Sequence, residues 1–416
     1  MTIMQSQHQN QNNSRTDEAE LVVERLLGIS LIKEFVFRSP KISSGKQERE
    51  LADFLVAHDG LGVLFQQKCQ QDPDARSDEK NAAWVKKQAV KAVAQLTGAI
   101  RKGQGVAMWC QHPRRGKVEF PDGLPHLNHG VVLVESNKTV DLNDVADDLP
   151  LEHLGVRISY FTVADFLSLT DELRTLPELI AYLDARKILK AEDLRVVGDE
   201  KILYARYLLG GASFVHTKSR FGASAVVNSL RDELRDIWRK KEQTRTFASL
   251  MEHVAEELAT RDPNMPESMQ ALYEPLPERT GYLKMQAILA NMRVADRIVL
   301  GRAFLTTIHK LKASGRKDVV YHVAHLDSLP DTVFVFAAGQ GLPREEYPER
   351  AQMLAMSALA HHKKAQSITI LDRDGEGYEL ALIKHSGEIP EAWQQAAKHF
   401  VADLRVTSTQ YQPLIG

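Results

Sequence analysis

Asp53, Gln66 and Lys68 bring a carboxylate, an amide and an ammonium group into one short stretch of the chain. Two apolar runs, residues 54–57 and 63–65, flank a Gly-containing turn at residues 58–62 and predict a β-hairpin. Side chains alternate between the two faces of a strand, so Gln66 and Lys68 share one face and Gln67 points away. We expect the three groups to converge at one end of a small sheet.

Oxygen ligands of this kind suit Mg²⁺, and a site with one or two carboxylates leaves positions for water and a phosphate oxygen. A bound metal lowers the pKa of its water and stabilises a pentavalent phosphate. A nearby ammonium orients the water or offsets the developing negative charge. Asp53 and the carbonyl of Gln66 are therefore candidate ligands of Mg²⁺ or Mn²⁺. Lys68 is the candidate cation beside the nucleophile and the scissile phosphate.

Other elements surround this hairpin in a definite order. Residues 17–29 have the apolar periodicity of a helix that stops near Gly28. Residues 32–37 read as a strand that ends at Ser39 and Pro40. The sequence therefore predicts a helix, a strand, the strand that Asp53 enters, the strand with Gln66 and Lys68, and then a helix around Trp84.

This order and these residues resemble the PD-(D/E)XK nuclease superfamily, which has the restriction-endonuclease-like fold. Its motif places an acidic residue at the head of one strand and (Asp/Glu/Gln)-x-Lys on the next. Ala52 replaces the proline of the family motif, and Gln66 stands at the second acidic position. The resemblance implies an α/β protein with an αβββαβ core and metal-dependent hydrolysis of phosphodiester bonds.

The resemblance also implies a further glutamate on the first helix. Glu20 is the preferred candidate for this third metal ligand, ahead of Glu18, while Glu24 shares a face with Glu20. The alternative for all three is a solvated helix face. The spacing of Glu50 to Asp53 resembles a Glu-Leu-x-Asp string in uncharacterised bacterial proteins of the superfamily, so Glu50 joins the candidate catalytic residues.

Three later segments resemble the same uncharacterised group. Residues 84–99 resemble its helix after the catalytic lysine, which carries a tryptophan, basic residues and Gln-Leu-x-Gly-Ala. Residues 161–163 and 173–183 resemble its middle segment, and residues 198–200 and 203–208 resemble its acidic turn and following helix. The likeness is loose but spread along the chain, and it leaves the biological role open.

Composition bounds the class of protein. The chain has 416 residues, 43% hydrophobic and 26% charged, which is typical of soluble globular proteins. No apolar stretch approaches the ~18–20 residues of a membrane span, and we see no signal peptide. The two cysteines, Cys69 and Cys110, form no zinc or disulfide pattern. We expect a cytoplasmic protein without a membrane partner.

A net charge of −2 excludes a generally basic nucleic-acid binder. Affinity for nucleic acid must then come from local patches. One candidate patch is Lys86, Lys87 and Lys91, continued by Arg101 and Lys102, and another is Arg114, Arg115 and Lys117. A merely solvated face is the alternative for both.

The predicted organisation has four parts. A disordered tail rich in Gln, Asn and Ser covers residues 1–16, and a nuclease-like domain covers residues 17–160. A mainly helical region follows at residues 161–315, and a mixed α+β region at residues 316–416. The nuclease-like domain is expected to contain further strands at residues 105–109 and 130–134, separated by a Pro- and Gly-containing loop.

The expected function is metal-dependent cleavage of nucleic acid, with DNA favoured over RNA and anti-phage defence as the setting. A homo-oligomer or a partner protein of a defence system would fit that setting. Two alternatives stay open: a catalytically silent nuclease-like binding or regulatory subunit, and a toxin-like ribonuclease. Gln66 and the missing proline favour the silent subunit, because Gln66 removes a metal-binding charge.

Overall fold

A computed structural model shows a mixed α/β protein and describes residues 20–24, 27, 33–44, 47–70, 77–112, 115–135, 150–189, 200–214, 231–260, 277–314 and 319–401. The chain divides into two compact units, Met1–Ile237 and Trp238–Gly416. The predicted tail at residues 1–16 lies outside the described residues. Within the described residues, no helix has the length and apolarity needed to cross a bilayer.

The first unit contains one large sheet. Its strands are β1 (Val36–Ser44), β2 (Gln47–Glu50), β3 (Phe54–His58), β4 (Leu61–Cys69), β5 (Met108–His112), β6 (Gly116–Phe120), β7 (His129–Glu135), β8 (Glu152–His153) and β9 (Val156–Thr162). Its helices are α1 (Asp78–Gly103), α2 (Val163–Glu172), α3 (Leu176–Arg186) and α4 (Glu200–Leu209). Helix α5 (Arg231–Thr260) contains the boundary between the units.

The strand order is β6-β5-β1-β3-β4-β7-β9-β8, with β2 paired to β1. Strands β1, β3 and β4 are antiparallel neighbours, whereas β7 runs parallel to β4 and β9 runs parallel to β7. A parallel connection needs a crossover, and the segment between β4 and β7 includes the long helix α1. The site residues of β3 and β4 therefore lie in the middle of the sheet.

Alternation along β3 and β4 fills two separate cores. Leu55 and Leu64 face one side, where they pack with apolar residues of α1 such as Val85 and Leu96. Phe54 and Phe65 pair with each other and face the other side, where Phe166, Leu179 and Tyr182 of α2 and α3 cover them. Burial on both faces fixes the register, because a slip of one residue would exchange the two sets.

The predicted hairpin is present as β3 and β4, joined by the two residues Asp59 and Gly60. Both have positive φ angles, 47° and 78°, which is the conformation that a two-residue Asp-Gly hairpin turn requires. This turn sets the pairing of Phe54 with Phe65 and, one step further, places Asp53 opposite Gln66.

The predicted strand at residues 32–37 is wrong in its bounds. Lys33–Phe35 forms a 3₁₀ helix, and β1 begins at Val36 and continues through Pro40 to Ser44. Ser39 has a φ of 47°, and the pairing of β1 with β5 shifts register between Arg38 and Lys41. The proline, which has no N–H to donate, therefore sits at a bulge instead of ending the strand.

Two further differences concern the rest of the first unit. The strand expected at residues 105–109 lies at Met108–His112, and the loop expected after it contains β6. The domain boundary expected at residue 160 falls inside the first unit, which extends to Ile237. The reason is that helices α2 to α4 bury their apolar faces against the large sheet.

The second unit has a four-stranded sheet in the order β10-β11-β12-β13. Its strands are β10 (Val319–His325), β11 (Thr332–Gly339), β12 (Gln366–Arg373) and β13 (Tyr378–Lys384). Its helices are α6 (Pro277–Ala290), α7 (Val294–Ser314), α8 (Glu346–His362) and α9 (Glu391–Val401). The central pair β11 and β12 is parallel, and α8 makes the crossover between them.

Candidate active site

Asp53 lies just before β3 and faces Gln66 of β4. One oxygen of its carboxylate, Oδ2, accepts hydrogen bonds from Nε2 of Gln66 at 2.6 Å and from the backbone N–H of Gln67 at 2.5 Å. The backbone N–H of Asp53 donates to the carbonyl of Phe65 at 3.2 Å. The antiparallel pair thus positions the carboxylate through both backbone and side-chain bonds.

Gln67 points to the opposite side of the sheet, as the alternation of a strand requires. Its side chain is 6% exposed, and among the described residues neither Nε2 nor Oε1 has a hydrogen-bond partner. Only its backbone N–H contributes to the site.

The site combines carboxylates and a lysine that are partly withdrawn from water. Burial raises the pKa of Asp53, and the charge of Glu50 raises it further, while Lys68 and the N–H of Gln67 act in the opposite direction. Burial likewise raises the pKa of Glu50, as does the charge of Glu20. These carboxylates repel one another in a poorly solvated place, which a cation would relieve.

Lys68 is the basic member of the same cluster. Burial lowers its pKa, and the nearby charge of Lys91 lowers it further, whereas Asp53, Glu20 and Glu50 raise it. The charge of Lys68 therefore interacts with all three of these carboxylates.

Glu20 is placed in helical residues 20–24, where its Oε2 accepts a hydrogen bond from Nη2 of Arg38 at 2.7 Å. Glu24 is more distant from the same guanidinium, at 3.9 Å. Glu18 lies outside the described residues. Of the two glutamates that the structure describes here, Glu20 is the one whose charge acts on both Glu50 and Lys68.

The donor set fits a hard divalent cation with few protein ligands. The bonds to Oδ2 leave Oδ1 of Asp53 and the amide carbonyl of Gln66 as candidate oxygen ligands. In the part of the chain that the structure describes, no three His, Cys, Asp or Glu residues are grouped closely enough to hold a metal. Mg²⁺ commonly keeps several waters and binds through one or two carboxylates plus substrate phosphates, so two protein oxygens suffice.

The geometry also gives a reason for an amide at position 66. A carboxylate there would face the Asp53 carboxylate at hydrogen-bond distance and add a second charge to a partly buried pair. The amide instead donates to Asp53 and keeps its carbonyl for another partner.

The candidate nucleic-acid-binding residues form two groups, the lysines of α1 and the arginine patch. Lys86, Lys87 and Lys91 are exposed on α1, whose opposite side buries Val85 and Ala89. Lys91 is close enough to Lys68 to act on its pKa, so this face of α1 leads toward the candidate site.

The arginine patch has a different arrangement from the one predicted. Arg114 lies outside the described residues. The guanidinium of Arg115 turns inward, where Nη1 donates to the carbonyl of Glu34 at 2.9 Å and the group lies 5.6 Å from the ring centre of Phe37. Burial lowers the pKa of Arg115, and its side chain anchors the start of β1 instead of presenting a charge to a phosphate.

Sequence reasoning missed Arg38 and Ser39. The hydroxyl of Ser39 donates to the Glu50 carboxylate, and its backbone N–H donates to the carbonyl of Asp53 at 2.8 Å. The sequence feature nearest to them is the Ser-Pro step at residues 39–40, which predicts the end of a strand and not a site residue.

Comparison of the chain with models of protein families, with curated proteins and with solved structures finds no match.

The raised pKa of Asp53 predicts that this carboxylate costs stability. A carboxyl group whose pKa is raised on folding contributes stability at low pH, and that contribution is lost as the pH rises through the folded-state pKa. Asp53→Asn should therefore raise the midpoint of thermal unfolding at pH 8 by about 2–4 °C, the shift that roughly 1 kcal/mol produces in a domain of this size. The gain should shrink as the pH falls toward 4, measured by circular dichroism with EDTA present.

The exposed Asp232, paired with Arg235 on α5, provides the control, since Asp232→Asn should show no such pH-dependent gain. A lower midpoint for Asp53→Asn at pH 8 would mean that the hydrogen bonds to Asp53 outweigh its burial.

Proposed function

We propose that the first unit is a metal-dependent endonuclease with a restriction-endonuclease-like core. The observation that carries this proposal is the hydrogen bond between Asp53 and Gln66 across β3 and β4, with Lys68 on the same face of β4. These residues support the proposal because a carboxylate, an amide oxygen and an ammonium group are the groups that metal-assisted phosphodiester hydrolysis uses.

The order of elements supports the same proposal. Helical residues 20–24 and 27 are followed by β1, β3, β4, α1 and β7, which is the αβββαβ order that the resemblance implies. Strand β2 is a short addition paired to β1, while β5 and β6 extend one edge of the sheet and β8 and β9 the other.

The side chains of this chain would divide the chemistry as follows. Asp53 and Gln66 would hold Mg²⁺ or Mn²⁺, with Glu20 as the preferred further ligand and Glu50 as a supporting carboxylate. A bound ion of this kind polarises the phosphate and makes a water more acidic. Gln66 and the N–H of Gln67 hold Asp53 in one orientation. Lys68 orients the attacking water and offsets the negative charge that develops on the phosphate.

The substrate we propose is DNA, in the cytoplasm, with anti-phage defence as the setting. Fold and site chemistry are compatible with several nucleic acids, so the choice of substrate is left to loops and to the second unit. The second unit would serve recognition, control or assembly, with a second copy or a partner protein of a defence system.

A catalytically silent binding or regulatory module is the second candidate. Two observations favour it: Gln66 stands where a second acid would bind metal, and Ala52 replaces the proline of the family motif. A toxin-like ribonuclease would use the same residues on a different substrate.

Cleavage of supercoiled plasmid, single-stranded DNA and single-stranded RNA by the purified chain, with Mg²⁺ or Mn²⁺, tests the proposal. Asp53→Ala and Lys68→Ala should each lower the rate by about 10²–10³-fold, since each removes a group that stabilises the charged transition state. Lys384→Ala, at an exposed position of β13, should leave the rate unchanged.

Wild-type rates in both variants would refute the site. Nucleic-acid binding without cleavage by the native chain would favour the silent module, and preference for RNA would favour the ribonuclease.

We expect the exposed lysines of α1 to bind the phosphates of a substrate that approaches the site. Phosphate contacts are sensitive to salt and independent of sequence. Replacing Lys86, Lys87 and Lys91 together by Gln should weaken binding to all sequences alike and flatten its salt dependence, without changing the cleavage pattern. Fluorescence anisotropy at several salt concentrations measures both.

The double change Lys310→Gln and Lys312→Gln, on exposed positions of α7, controls for a general loss of positive charge. If affinity and salt slope are the same in the α1 variant as in the wild type, these lysines are only a solvated face.

A further inference from the structure

Arg38 holds the carboxylate that would complete the metal site. It lies in β1 at the point where pairing with β5 shifts register, and the next residue, Ser39, has a positive φ. Bulges of this kind re-aim a side chain. Here the guanidinium contacts Glu20 at 2.7 Å, with both side chains largely withdrawn from water, at 30% and 20% exposure.

The bulge connects this ion pair to the rest of the site. The backbone N–H of Ser39 binds the carbonyl of Asp53, and the N–H of Leu51 binds the carbonyl of Pro40 at 2.8 Å. The segment that carries Arg38 is therefore fastened to the segment that carries Glu50 and Asp53. The charge of Arg38 also acts on Glu50, in opposition to that of Glu20.

A guanidinium and a divalent cation compete for the same carboxylate. Arg38 donates to one oxygen of Glu20 and places a positive charge beside the acidic cluster, so an incoming cation meets both an occupied ligand and a like charge. With Glu20 held in this way, Asp53 and Gln66 remain as the proposed metal ligands, and Glu50 as the supporting carboxylate.

We propose that Arg38 sets the metal affinity of this site by holding Glu20 away from the cation, an inference that rests on the proposed metal-dependent function. Arg38 is a positioning residue in this role. The native protein then binds its metal weakly through Asp53 and Gln66, and release of Glu20 from Arg38 adds a third oxygen ligand.

Isothermal titration of the EDTA-treated full chain with Mn²⁺ tests the inference without reference to activity. Arg38→Gln should lower the Kd by about fivefold or more, because it removes a like charge and frees a carboxylate. In the Glu20→Gln background the same change should have less than half of that effect on a logarithmic scale, since the carboxylate it would free is gone.

Arg38→Lys retains the charge but not the planar fork, so its Kd should lie between those of the native chain and Arg38→Gln. Arg235→Gln, which removes an exposed arginine from α5, should leave the Kd unchanged. Circular dichroism establishes that each variant is folded, and Arg38→Lys provides the test if Arg38→Gln is not.

An equal or higher Kd for Arg38→Gln, or a tightening that is undiminished in the Glu20→Gln background, would overturn the inference. Asp53→Asn distinguishes this failure from failure of the proposed site. Loss of Mn²⁺ binding in Asp53→Asn supports the site whatever Arg38 does, whereas binding that survives Asp53→Asn removes the site itself.

Discussion

The carboxylate of Asp53 receives two N–H groups from the neighbouring strand, and the rest of the candidate site depends on that interaction. Gln66 and Gln67 supply these donors from successive residues, one through its side chain and one through its backbone. The interaction needs the register in which Phe54 pairs with Phe65, and that register is set by the Asp59-Gly60 turn and by burial on both faces of the sheet. A one-residue slip would turn Gln66 and Lys68 toward α2 and leave Asp53 facing Gln67.

The candidate site concentrates charged side chains away from water, which lowers the stability of the folded protein. Burial and mutual repulsion raise the pKa values of Asp53 and Glu50, and burial lowers that of Lys68, so the charged form of each is disfavoured. Perturbed groups of opposite sign in one cluster are typical of functional sites. A divalent cation would favour the charged forms of these carboxylates. In our proposal, the ion pair of Arg38 with Glu20 limits how many of the carboxylates such a cation can use.

The sequence was informative where local rules decide the structure. Strand alternation placed Gln66 and Lys68 on one face, and a Gly-containing turn between two apolar runs predicted the hairpin. Long-range pairing decided the rest. Pro40 predicted the end of a strand because it has no N–H to donate. In the structure β1 continues beyond Pro40, because its pairing with β5 contains a bulge at this point. Arg115 looked like a phosphate ligand because a charged residue in a loop is usually solvated, whereas the fold turns it onto Phe37. The contact of Arg38 with Glu20 joins residues whose proximity no sequence pattern shows.

The central claim is that Asp53 and Gln66 form a divalent metal site, and locating a bound ion tests it most directly. A crystal of the full chain soaked in Mn²⁺, measured for anomalous scattering, should show one strong peak within about 2.3 Å of an Asp53 carboxylate oxygen and of the Gln66 carbonyl oxygen. Mg²⁺–oxygen bonds are about 2.0–2.1 Å, and ligand distances in a genuine site fall within about 0.2 Å of such values. A peak elsewhere, or no peak at these residues at saturating Mn²⁺, would contradict the account.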